Sequence, residues 1–389
     1  MLQIGPVTSL AGTSYSQSQI LQAVFGPSLK LGWRFDLLYP DLSYKADLTA
    51  LVDPSLQPPT ITYDSTQAVK ESLSIQMRPS PVANVLQDLV RVRFLVFTQD
   101  GSHCEWPIGI YSLVPPVKNI YDGYTWWQMS CPDLSQVLAD AAFSVSTAVD
   151  AGVSYSTAIA IFCATYGGLT PLSTYIPNPS VGLPSSQTWT SGTSYLTAIN
   201  NLLTAVNYKN AWLEGNMLTA SVMPDYNTAS PVLLLDATAA GNTNARIPIF
   251  APLKETPDLS NAYNQILVTG QDPSNNPISA YYENNRPDSE ISTVNWHPRL
   301  QVINNSAIAN QAAAYAMAIT QAQLAAQVYS QLQVETVPFP FFGDLDVIQF
   351  TYNSQDEGTV QYNYVVVKAS HVCAASQPTT LTLQRIVNA

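Results

Sequence analysis

Apolar side chains recur at every second position along much of this chain, and that period is the period of a strand. Leu73, Ile75 and Met77 form one such run, and Val90, Val92 and Phe94 form another. Successive side chains of a strand point to opposite faces, so each run buries one face and leaves the other polar. Turn dipeptides punctuate the runs at Asp100-Gly101 and Asp122-Gly123, where glycine supplies the backbone conformation a tight hairpin needs. The spacing predicts an antiparallel β region from Leu31 onward. Two strand openings within it match. Asp88-Leu-Val-Arg-Val-Arg-Phe94 and Asp344-Leu-Asp-Val-Ile-Gln-Phe350 share Asp, Leu and Phe at identical spacing. Each follows a loop and precedes a turn and further strands, so the pair predicts duplicated β domains.

At Pro132 the period changes to that of helices, over 133–142, 154–166 and 194–208. The third places Tyr195, Leu196, Ile199, Leu202, Leu203 and Val206 on one stripe behind Ser and Thr capping residues. The second and third open on the same pattern, Gly-x-Ser-Tyr-x-Thr-Ala-Ile, at Gly152–Ile159 and Gly192–Ile199. Two copies are too few for a solenoid and read as two similarly capped helices. AWLEGNMLTASV predicts a hairpin turning at Gly215-Asn216, and the proline-rich stretch 224–262 predicts an irregular connection with at most one short strand, near Val232–Leu235. Strands QILVTG and PISAYYEN follow. A long uncharged helix is expected over 306–331, with Ile308, Ala312, Tyr315, Ile319, Ala322, Ala326 and Tyr329 as its stripe. LQVETVPF, DLDVIQFTY, VQYNYVVVKASHV and TTLTLQRI complete the strands.

A chain of 389 residues exceeds what one hydrophobic core serves, so several domains are expected. The fold class is α+β, mainly β: two antiparallel β domains with an inserted α+β domain. The expected partition is an N-terminal arm over 1–27, β domain I over 28–145, the α+β insert over 146–250, and β domain II over 251–389 carrying the helix 306–331.

Charged residues make up 11% of the chain, against roughly 25% in ordinary soluble proteins. Neutral polar groups cost less to bury than ions, so this surface suits permanent packing against neighbours. Net charge is −12 and no basic residue lies between Lys118 and Lys209, which excludes gripping a duplex through its phosphates. Cys104, Cys131, Cys163 and Cys373 lack CxxC spacing and read as buried thiols of a reducing compartment. The N-terminal sequence lacks the basic start and apolar run of a signal peptide, and no apolar run is long enough for a membrane anchor.

Candidate chemistry is sparse. His103-Cys104 and His371-x-Cys373 lie in corresponding halves and suggest a shared metal site, but they lack the paired spacing such sites use. His297, between Trp296 and Pro298, reads as a packing residue. Ser154 and Ser194 follow Gly-x-Ser but lack the final glycine of a nucleophile elbow, so both read as helix caps. Asp344 and Asp346 read as turn acids rather than a catalytic carboxylate pair. Trp126-Trp127 and Tyr281-Tyr282 could stack sugars, with interface or core packing as the other reading. No catalytic, cofactor-binding or metal-binding residue is assigned.

In order along the chain, GWRFDLLYPDLSYKADLT, YDSTQAVKESLSIQM, DLVRVRF, WPIGIYSL, DLSQVLAD, TSYLTAINNLLTAVNYKNAWLEGN and DLDVIQF resemble the baseplate hub or tail hub (minor tail protein) family of tailed bacteriophages, over roughly residues 31–389. The resemblance implies that both β domains are tail-tube-like, so that a homotrimer imitates a six-fold tail tube. It implies a ring joining the tail tube or distal tail protein to tip or fibre proteins. Tape measure protein and DNA would pass through its lumen without specific binding. The implied location is the tail tip or baseplate of a virion assembled in the host cytoplasm. No lysozyme or peptidase domain is expected after the last strand at Arg385, so wall digestion is not implied. A carbohydrate-binding tail-tip or adhesin module is the alternative reading.

Overall fold

A computed structural model of the chain describes residues 4, 6–25, 30–52, 57–121, 123–166, 172–177, 182–183, 186–226, 228–238, 248–250, 252–257, 259–260, 262–271, 276–305, 308, 310–327, 330–355, 358–375 and 377–386. In chain order the elements are β1 (Val7–Thr8), β2 (Ser14–Tyr15), α1 (Gln17–Phe25), β3 (Leu31–Leu38), β4 (Tyr44–Asp47), β5 (Thr60–Asp64), β6 (Glu71–Met77), β7 (Leu89–Phe97) and β8 (His103–Ser112). Next come β9 (Val117–Tyr121), β10 (Tyr124–Pro132), α2 (Gln136–Asp140), β11 (Thr147–Val149), α3 (Tyr155–Tyr166), β12 (Ser173–Tyr175), β13 (Gln187–Trp189), α4 (Tyr195–Ala205), β14 (Trp212–Glu214) and β15 (Met217–Thr219). The chain continues through β16 (Leu233–Asp236), β17 (Lys254–Pro257), β18 (Gln265–Gln271), β19 (Pro277–Glu283), β20 (Leu300–Asn304), α5 (Gln311–Gln327), β21 (Ser330–Thr336), β22 (Val347–Ser354), β23 (Gly358–Val372) and β24 (Thr379–Arg385). The protein is mainly β.

Two compact units share these elements, each assembled from separated segments. The first comprises Met1–Leu134, Ser230–Glu255 and Leu332–Leu383, and the second Ser135–Ala229, Thr256–Gln331 and Gln384–Ala389.

In the first unit one sheet runs β4-β3-β7-β8. A larger one runs β17-β21-β24-β23-β5-β6-β10-β9, with β22 joined to β23 and β16 to β22. The expected alternation holds: Leu73, Ile75 and Met77 are buried on β6, as are Val90, Val92 and Phe94 on β7. Phe94 packs edge-on to Phe341 at 5.7 Å between ring centroids, and Trp106 does so at 5.2 Å. Phe341 also meets Phe339 at 5.1 Å, so aromatics from both ends of the chain build one core. The fifteen-residue β23 spans that core. Its first half pairs with β22, Val347 opposite Val365, and its second half with β5, Lys368 opposite Asp64.

The stretch expected as an N-terminal arm over 1–27 carries regular elements among its described residues. Val7–Thr8 pairs with Ser14–Tyr15, and α1 follows. Ser16 and Gln19 form a reciprocal cap: the Ser16 amide donates to Gln19 Oε1 at 2.8 Å, and the Gln19 amide to Ser16 Oγ at 3.4 Å. Ile20, Val24 and Phe25 are buried, which anchors the helix on the core.

In the second unit, β11 pairs with β13, and α3 and α4 follow these two strands after matching turns at Gly152 (φ 85°) and Gly192 (φ 89°). Phe143, Phe162, Trp189 and Tyr195 pack together between them, with Phe143 and Tyr195 ring centroids 4.2 Å apart. A separate sheet, β19-β18-β20, lies against α5. Ile266, Val268, Ile278 and Ala280 bury against Ala314, Met317, Ala318 and Ala322.

Two differences from the sequence reading follow. Residues 256–331, expected in β domain II, lie in the second unit with the helical segment. Contacts distant in sequence put them there: the Gln323 amide donates to Asp225 at 2.9 Å, and the Tyr226 amide donates to Gln323 at 3.3 Å. The helix expected over 306–331 is described over Gln311–Gln327, with Asn310 Oδ1 accepting from the Ala313 amide at 2.9 Å; residues 306, 307, 309, 328 and 329, Tyr329 among them, lie outside the described residues. Its expected stripe holds in part: Ile308, Ala322 and Ala326 are buried, but Ala312 and Tyr315 are exposed, and Ala314, Met317 and Ala318 are buried in their place. In an alanine-rich helix small side chains tolerate either face, so alanines define the buried face weakly.

Candidate functional site

The two matched openings are built alike. Asp88, 2% exposed, accepts from the Asn84 amide at 2.7 Å and ion-pairs with Lys45 at 2.7 Å. Asp344, 1% exposed, accepts from the Tyr63 hydroxyl at 2.5 Å and ion-pairs with Lys70 at 2.7 Å. Each leads into a hairpin whose second strand donates back to the opening: Leu113 N to Asp88 O at 3.1 Å, and Val366 N to Asp346 O at 3.0 Å. Phe94 and Phe350, the closing residues of the match, are fully buried. The openings also differ. β7 starts at Leu89, whereas a turn with Leu345 at φ 52° delays β22 to Val347, and Asp346 accepts the Gly343 amide at 2.7 Å. On its other side β7 meets β3 antiparallel, while β22 meets β16 parallel.

A polar chain surrounds the second opening inside the first unit. The Tyr111 hydroxyl donates to Glu71 at 3.1 Å, and the Glu71 amide donates to Asp133 at 3.0 Å. Burial lowers the affinity of the Lys70 ammonium for its proton, while Asp344 opposes that shift. Burial, with the neighbouring carboxylates Asp344 and Glu71, pushes the phenols of Tyr63 and Tyr111 well above their ordinary range.

On the β3-β7-β8 face opposite the aromatic core, Asp36 is 1% exposed and receives Arg93 at 2.8 Å, Arg91 at 2.8 Å and Arg34 at 3.0 Å. Burial raises this carboxyl's affinity for a proton, but the three guanidiniums outweigh it and hold Asp36 below the usual carboxylate range. Glu105 bridges to Arg34 at 2.7 Å and to His103 Nε2 at 3.0 Å. The sequence carried a signal for this network: Arg34-x-Asp36 and Arg91-x-Arg93 place charges on alternate positions, opposite the apolar ones.

The other candidates are accounted for by packing. His103 lies against Phe97 at 5.5 Å. His371 is buried with Nδ1 3.0 Å from Thr379 Oγ1, and burial drops its pKa to about 4. All four cysteines are free and buried, and burial pushes the Cys131 and Cys163 thiols up to about 12. Among the described residues no three His, Cys, Asp or Glu groups come together as a metal site. His297 packs on Trp296 at 4.2 Å. Ser154 and Ser194 are helix caps, accepting from the Thr157 and Thr197 amides at 3.2 Å each. Arg78 sits over the Trp126 ring at 5.5 Å, and Tyr282 packs on Tyr315 at 6.4 Å. Tyr281 is 47% exposed, on the β18–β20 sheet face opposite α5.

No protein-family model matches the sequence, and no curated protein matches it. Solved structures do match the fold. The tail protein from Neisseria meningitidis MC58 superposes with a TM-score of 0.63 at 13% identity, over 91% of this chain and 96% of that one. The 43 kDa tail protein of prophage MuSo2 from Shewanella oneidensis gives 0.59 at 9% identity, over 92% and 98%. Prophage tail protein gp18 from Listeria monocytogenes EGD-e gives 0.54 at 13% identity, over 90% and 94%. The fold is thus that of a mainly β protein similar to these tail proteins. The likeness runs over nine tenths of this chain and of each of the three, in agreement with the fold that the resemblance read from the sequence implies.

Proposed function

We propose that this chain is a structural hub protein of a bacteriophage tail, acting as a homotrimeric ring in the virion's tail tip or baseplate after assembly in the host cytoplasm. The observation that carries the reading is the pair of strand openings, each with a buried Asp anchored by a Lys and a hairpin leading away from it. Two such openings in one chain give a trimer six similar positions, the number a six-fold tube presents. The strands that follow Asp88 and Asp344 are assigned to two tube-like β domains, and the whole-length likeness to tail proteins supports that assignment. The ring joins a tail tube or distal tail protein on one side to tip or fibre proteins on the other. Tape measure protein and DNA pass through its channel, and the net charge of −12 disfavours their sticking. In this role the chain acts by packing, without catalysis, a cofactor or a membrane anchor.

The test is the mass and shape of the purified protein, by mass photometry and electron microscopy. Trimers with a central hole are expected. A protein that stays monomeric at high concentration and forms no ring overturns the reading.

A further inference from the structure

The face of the β3-β7-β8 sheet turned away from the aromatic core gathers cations in a chain that has few. Arg34, Arg91 and Arg93 converge on Asp36, and Arg34 and Arg93 also reach Glu105, at 2.7 and 3.3 Å. Lys30 extends the row, its ammonium 4.8 Å from the centre of the Phe97 ring that also packs on His103. Asp47 stands across from Asp36 on β4, while Lys45 on that strand is spent on Asp88. Lys30, Arg34, Arg91 and Arg93 thus face Asp36, Asp47 and Glu105, one positive charge in excess with His103 neutral, although the whole chain carries −12.

The guanidiniums are not used up. Arg34 binds through Nε and Nη1, Arg91 through Nε and Nη2, and Arg93 through Nε and Nη1. Nη2 of Arg34, Nη1 of Arg91 and Nη2 of Arg93 bond to no described residue, and the three side chains are 32%, 23% and 20% exposed. Asp36 already fixes these forks, so little side-chain freedom remains to be lost when an anion arrives. A planar guanidinium matches a carboxylate in geometry as well as charge.

The matching face of the second opening has none of this. Arg93 of β7 corresponds to Gln349 of β22, and Glu105, across from Leu95, corresponds to Gln361, across from Thr351. Arg34, across from Arg93, corresponds to Leu234, across from Gln349. There Gln361 donates to Gln349 at 2.9 Å and to Thr351 at 3.2 Å, a neutral ladder in place of an ionic one.

We propose that the Arg34-Arg91-Arg93 face binds a carboxylate side chain on an acidic segment of another protein, and that each chain offers one such site. An excess of one charge suits one carboxylate, whereas a phosphate polyanion meets the repulsion of the whole chain. The site lies within the first unit and does not require a ring. On the ring reading above, it occurs at three of the six similar positions and makes the ring three-fold to this partner.

The test is fluorescence anisotropy of a labelled hexaglutamate peptide, blocked at both ends, with the full chain. Wild type is expected to bind one peptide per chain. Arg91→Gln, which leaves Asp36 two guanidiniums, is expected to weaken binding about tenfold. Lys118→Gln removes the same charge from exposed β9 and should leave binding unchanged. Glu105→Gln removes a competing carboxylate and should tighten binding about threefold, a gain that misfolding does not mimic. Absence of binding, an equal loss in Lys118→Gln, or no gain in Glu105→Gln overturns the site. Two peptides per chain overturn the difference between the two faces. An oligothymidylate that competes as well as the peptide overturns the carboxylate assignment, and self-association abolished by Arg91→Gln makes a second copy the occupant instead. Monomeric wild type that binds one peptide overturns the ring reading and leaves this site standing.

Discussion

Lys70 and Lys45 each neutralise the aspartate that opens a strand, but in different surroundings. The Lys70 side chain is 2% exposed and its partner Asp344 is fully buried, whereas the Lys45 side chain is 15% exposed. Removing one member of a buried pair strands the other charge, so Lys70→Met is expected to cost about 3–5 kcal/mol in urea unfolding. Lys45→Met, which leaves Asp88 its Asn84 amide, is expected to cost about 1.5–3 kcal/mol. Equal losses would remove the burial argument. His371 sets an acid limit of another kind. Its folded pKa of about 4 lies below the ordinary imidazole value, so between those pH values the unfolded chain binds a proton that the folded chain does not. Stability therefore falls as pH drops through that window, by about 2 kcal/mol between pH 7 and 5 from this group. Denaturation of wild type and His371→Gln at both pH values checks it, and the variant should show a smaller loss. None of these partnerships was legible beforehand. Lys45 and Lys70 reach Asp88 and Asp344 only because sheet pairing brings them there, and no local pattern names a partner that far along the chain.

At the scale of elements, period and capping chemistry carried most of the information. The alternation along β6 and β7 and the stripe of α4 were readable because their apolar residues are large and their spacing unbroken. The paired Gly-x-Ser-Tyr openings were readable as caps, since a serine hydroxyl facing the amide three residues on has a known geometry. Ser154→Ala and Ser194→Ala are each expected to lower stability by about 1 kcal/mol, measured by chemical denaturation, and Thr at either position should recover most of the loss. A loss below a few tenths would show that tertiary packing holds these helix ends without the cap. α1 was missed although Ser16-x-x-Gln19 ahead of Ile20 and Val24 is a capping signature with one apolar face. The surrounding Ser and Gln residues hid a stripe only a few residues long. α5 was found with its buried face only partly right, Ala322 and Ala326 but not Ala312 or Tyr315, because alanine defines a face weakly.

For the whole molecule, the class and the order of elements were legible, but the grouping was not. A linear reading cuts a chain at its irregular stretches, here near residue 250, whereas the units form by contacts such as Gln323 with Asp225 that cross such cuts. The first unit shows the same property through β23, whose second half completes the sheet begun by β5. Tyr63, on β5, and Asp344, which it holds, are 281 residues apart. A ribosome adding about 5–20 residues per second makes β5 roughly 15–55 s before it makes Asp344, and β23 later still. Until then the edge of β5 that β23 covers has no partner yet made. A chaperone that shields that edge, or a temporary pairing within β5–β10 that β23 later displaces, would keep it from pairing with another chain.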